Sequence, residues 1–66
     1  MNKNRYIRLQ QIAEAYPETN HLAAHLFFAL QENDHKMVDF WATQIKSAFR
    51  TMAYRLASSR PFKAHT

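Results

Sequence analysis

Residues 35–59 read HKMVDFWATQIKSAFRTMAYRLASS, a stretch with neither Gly nor Pro in a chain that has no Gly at all. Met37, Val38, Trp41, Ile45, Ala48, Phe49, Met52 and Leu56 recur along it every three or four residues, the spacing that lines up one face of an α-helix. Asn33 or Asp34 stands ahead of the stripe as an N-cap. Pro61 enforces a stop behind it, because proline lacks an amide proton and disfavours helical geometry in the residue before it. A helix of that length spans ~37 Å.

Upstream, Pro17-Glu18-Thr19-Asn20 is a turn that ends with a ready N-cap in Thr19 or Asn20. It separates a first helix over 3–16, carrying Leu9, Ile12, Ala13 and Tyr16 with Asn2 or Asn4 as cap, from a second that runs to about Glu32. Leu22, Ala23, Leu26, Phe27 and Leu30 form the apolar stripe of the second helix. The expected fold is all-α: a three-helix domain in which two short helices form a hairpin beside a long C-terminal helix. Residues 1–60 are expected to make the single helical domain and 61–66 a flexible basic tail.

The lengths conflict in an informative way. Two helices of ~20 Å cover only about half of a 37 Å partner, so Phe49, Met52, Ala53 and Leu56 would face water unless the long helix breaks or a second chain covers them. A break near Thr43 to Ser47 would fold the end back as a fourth helix, but no Gly or Pro marks a kink there. A homodimer is therefore expected. Phe28, Phe40 and Tyr54 fall off the main stripes, and positions 40, 47 and 54 align at heptad spacing, which adds aromatic surface available for contact.

Composition narrows the function classes. The chain has 66 residues, 47% of them apolar, which suits a small globular domain and argues against disorder. Absence of Cys excludes a disulfide framework, cysteine-ligated metal sites and thiol nucleophiles, and absence of Gly excludes phosphate-cradling loops. The longest apolar run, Leu26 to Leu30, is far short of a membrane span or a signal-peptide core, so a cytoplasmic protein with no membrane contact is expected. His21 and His25 lie four apart on the second helix with Glu18 three residues earlier, an arrangement that offers two imidazoles and a carboxylate to a metal ion. The residue after His21 is Leu22, so the HExxH pattern of zinc hydrolases is missing, and Glu18 is already explained by the helix dipole. The acids sit at helix starts and turns, and no enzymatic activity, cofactor or small-molecule substrate is expected.

The formal net charge of +4 is contributed by the two ends, since residues 9–35 carry acids and no Lys or Arg. Residues 9–30 can be laid on a helix-turn-helix spacing with Asn20 and His25 as base-reading candidates, although Pro17 occupies the turn and the second helix offers no Arg or Lys. Lys46, Arg50, Arg55 and Arg60 make a more basic surface, suited to gripping a phosphate backbone. The expected function is that of a small non-enzymatic regulatory or adaptor protein acting through protein–protein contacts, with itself and with an unidentified protein. Its expected contact residues are Phe28, Phe40, Trp41, Phe49, Met52, Tyr54 and Leu56. The alternative is a nucleic-acid-binding regulator that uses Asn20, His25, Lys46, Arg50, Arg55 and Arg60.

Overall fold

Three helices follow one another in the computed structural model: α1 over Lys3–Glu14, α2 over Asn20–Gln31 and α3 over His35–Ser59. The structure describes residues 3–59 apart from the side chain of Ser59, so the expected cap Asn2, Arg60 and the expected tail 61–66 lie outside the described residues. Among the described residues there is no strand, and none of the helices is long and apolar enough to cross a membrane. α1 and α2 pack as a hairpin, α3 lies along α2, and α1 touches α3 least.

α1 stops at Glu14, two residues before the expected end. The Ala15 and Tyr16 amides donate to the carbonyls of Ile12 and Ala13, three residues back, which tightens the chain into a turn before Pro17 is reached. Thr19 then fixes the turn to α1: its hydroxyl, fully buried, donates to the Ala13 carbonyl at 2.7 Å. The same residue occupies the N-cap position of α2, but it makes no side-chain bond to that helix. Its carbonyl accepts the first helical bond, from the Ala23 amide.

The α2–α3 connection meets the absence of Gly with an Asn. Asn33 has φ of 54°, in the left-handed region that Asn tolerates better than most residues. Its amide donates to the Leu30 carbonyl and that of Asp34 to Ala29, the paired bonds of a Schellman ending. Asp34 closes α2 and opens α3 at once, because its Oδ1 also accepts from the Met37 amide at 3.3 Å. Of the two caps the sequence offers, Asp34 caps α3 and Asn33 ends α2.

The core is small and rich in alanine: Ala13, Ala23, Leu26, Ala29, Leu30, Val38, Ala42 and Ile45 are buried. Tyr6, Leu9, Leu22, Trp41 and Phe49 pack partly against it. Several positions differ from the expected stripes. Ile12, Tyr16, Phe27 and Met37 are exposed, while Ala29 in the second helix and Ala42 in the third are buried. Ala13, Ala23 and Ala29 take the buried positions, and small side chains there allow packed helices to come closer than bulky ones would, with the larger neighbours at the flanks. Gln10 is also buried, against the expectation for an amide.

α3 is continuous through 43–47, so the chain does not fold back as a fourth helix. Near that point the Thr51 hydroxyl donates to the Ser47 carbonyl at 3.1 Å, a local back-bond within the helix. α3 therefore extends beyond the hairpin, as the lengths require.

Candidate protein-contact groove

The hairpin ends against the middle of α3. Tyr16 meets Phe49 edge to face, ring centroids 6.0 Å apart and planes at 76°, and this contact marks the level at which α1 and its turn stop covering α3. Past it the stripe of α3 continues: Met52 is half-buried, and Ala53 and Leu56 are exposed. The step between the turn and this stretch of helix is an open groove of about 630 Å³. Ile12 and Tyr16 line the side formed by α1 and its turn, and Phe49, Met52, Ala53 and Leu56 line the side formed by α3. Glu18 on the turn and Arg55 on α3 are its two charged lining residues.

The local reasons are plain. Tyr16 and Glu18 project from the turn because Thr19, bonded back to Ala13, holds that segment against the end of α1. Ile12 lies one residue before Ala13 and so stands at the edge of the α1 interface. Ala53 adds little bulk, which leaves room in the groove between Met52 and Leu56.

The structure distributes the expected contact residues over four places. Phe49, Met52 and Leu56 share the groove. Trp41 is half-buried and stacks on His25, with centroids 4.2 Å apart and planes at 10°, while Phe40 meets Trp41 edge to face at 4.9 Å. Phe28 packs edge to face on Phe27 and borders a shallow depression between α1 and α2 with Gln10, Gln11, Glu14 and Ala24. Tyr54 is 72% exposed and does not line the groove.

The charged candidates are dispersed as well. Lys46 joins Arg5, Tyr6 and Leu9 of α1 in a second shallow depression, Arg55 lies in the groove, and Arg50 is exposed. His25, offered by the sequence as a base-reading residue, is engaged with Trp41, and Asn20 is exposed at the start of α2. Glu18, His21 and His25 do not converge: among the described residues no group of three His, Asp or Glu could hold a metal ion. Glu18 instead belongs to the groove and His25 to the stack on α3.

The sequence missed one side of the groove. Ile12 and Tyr16 read as core positions of the first helix, and Glu18 read as a helix-start acid or a metal ligand. Comparison with known protein families, with curated proteins and with solved structures finds no match to this chain.

Proposed function

We propose that the protein is a small non-enzymatic binding module that acts through protein–protein contacts, with the groove between the α1–α2 turn and the second half of α3 as its working surface. The observation that carries this reading is the continuity of the α3 stripe. The face that packs on the hairpin through Val38, Ala42 and Ile45 runs on through Met52 to Leu56, which is 71% exposed. Apolar side chains on a concave surface, with one acid and one base beside them, suit an apolar helix or segment of another polypeptide. The polar groups there are a phenol and a carboxylate on the turn and a guanidinium on α3, a set that favours contact over proton transfer.

A photo-crosslinking residue tests the reading. With p-benzoylphenylalanine at position 56 and, as a control, at the exposed position 43, irradiation in cells should give protein adducts from 56 and few from 43. Equal yields from the two positions, or none from 56, would overturn it. Binding of a mixed-sequence DNA duplex that weakens steeply between ~50 mM and ~200 mM salt would favour the nucleic-acid alternative instead, with Arg5 and Lys46 as its first phosphate contacts.

A further inference from the structure

The charges beside the groove say more about its occupant than its apolar lining does. Glu18 stands on the turn and Arg55 on α3, and both are exposed. A partner that pairs with both charges brings a base to Glu18 and an acid to Arg55. The chain itself offers both. A two-fold axis lying in the plane of contact exchanges any two points placed symmetrically about it. One such axis, midway between Glu18 and Arg55, sets each Glu18 opposite the other copy's Arg55. Both ion pairs form together, and neither copy is left with an unmatched charge at the contact.

The apolar surface obeys the same rule. Met52 and Leu56 continue the stripe of Ile45 and Phe49 with alternating spacings of four and three, the pattern by which one helix seats on another. A face built in this way both offers a ridge and receives one, and Ala53 between the two larger side chains lets the opposing helix approach. A nucleic acid or a uniformly charged peptide would leave one of the two groove charges facing its own sign.

We infer that the groove is the interface of a symmetric homodimer, in which the second half of α3 of each copy seats in the groove of the other and Glu18 pairs reciprocally with Arg55. This rests on the groove being a protein-contact surface and names the partner as a second copy of this chain.

Charge reversal gives a test with a distinctive signature. Glu18→Arg alone sets Arg against Arg twice in a like pair, and Arg55→Glu alone sets Glu against Glu twice. Mixed one to one, the two variants restore opposite charges at both contacts. Sedimentation equilibrium of the parent should show a dimer. Each variant alone should associate about tenfold or more weakly, and the mixture should recover parent-like association, with native mass spectrometry showing the dimer to be mixed. Circular dichroism matching the parent would establish that both variants fold. Should either not fold, Glu18→Gln and Arg55→Gln, each weakening the dimer without a mixed-pair rescue, serve in its place. A parent that stays monomeric at ~100 µM, or variants that dimerise like the parent, would overturn the inference. Adducts from position 56 to a different protein would then leave the contact reading standing without it, whereas a lack of any adduct would remove both.

Discussion

The two halves of α3 carry one pattern and have different surroundings. In the first, Val38, Ala42 and Ile45 are buried beneath the hairpin. In the second, Met52 stands seven residues after Ile45 and Leu56 seven after Phe49, on the same face, and burial falls away until Leu56 is exposed. The periodicity is the same on both sides of Phe49; the cover is not. Hydrophobic spacing therefore reports which face of a helix expects a neighbour, while chain length and the position of the turn decide whether this chain supplies that neighbour.

The sharpest way to break the comparison is to remove a side chain from the covered half. Ile45 is fully buried among the core residues of α2 and α3. Ile45→Ala should cost roughly 2–5 kcal/mol, the lost transfer energy plus the cavity left behind. A core of this size supplies only about 3–5 kcal/mol in all, so the variant should be largely unfolded by circular dichroism at 25 °C. A urea midpoint close to the parent's would mean that the first half of α3 is no better supported than the second.

The next largest effect should come from the turn where the cover ends. Thr19→Val keeps the shape and removes the buried hydroxyl that donates to Ala13. The Tyr16 amide still satisfies that carbonyl in part, so the expected loss is about 1 kcal/mol in urea unfolding. Thr19→Ser, which keeps the donor, should recover part of it. Loosening this bond should also release Tyr16 from its edge contact with Phe49, and faster amide exchange at 15, 16, 18 and 19 than in the parent, with the first half of α3 unchanged, would report it. Equal loss in the Val and Ser variants would show that the hydroxyl has no part in holding the turn.

The same contrast explains what could be read from the chain and what could not. The helices were legible because their signals are local: Pro17 and the caps around Thr19 and Asp34 delimit them, and the uninterrupted 35–59 stripe predicts the long third helix that is found. The α3 side of the groove was legible for the same reason, as Phe49, Met52 and Leu56 fall on that stripe. The opposite side was not. Ile12 and Tyr16 have the spacing of core residues, but Ala13, Ala23 and Ala29 take the buried positions and these two stand at the flank. That packing is tertiary, and no window of sequence contains it. Gln10 and Phe27 exchange their expected environments through the same geometry. The left-handed Asn33 was hidden differently, since the usual Gly signal for a helix ending is absent and Asn also reads as an N-cap.

The smallest expected effect is the most discriminating. Leu56→Ala removes an exposed side chain from the second half of α3, where alanine is an equally good helix former. For the monomer at low concentration the change in stability should lie within about 0.5 kcal/mol, as for surface substitutions generally. At high concentration the outcome should differ. If the exposed stripe is a contact between copies, the parent's melting temperature rises with protein concentration through mass action, and Leu56→Ala flattens that rise without moving the dilute-limit value. A melting temperature that ignores concentration would remove the contact between copies, whereas a variant as damaging as Ile45→Ala when dilute would place Leu56 in the fold of the single chain. In that second case the stripe would have one role along its whole length, not the two proposed for it.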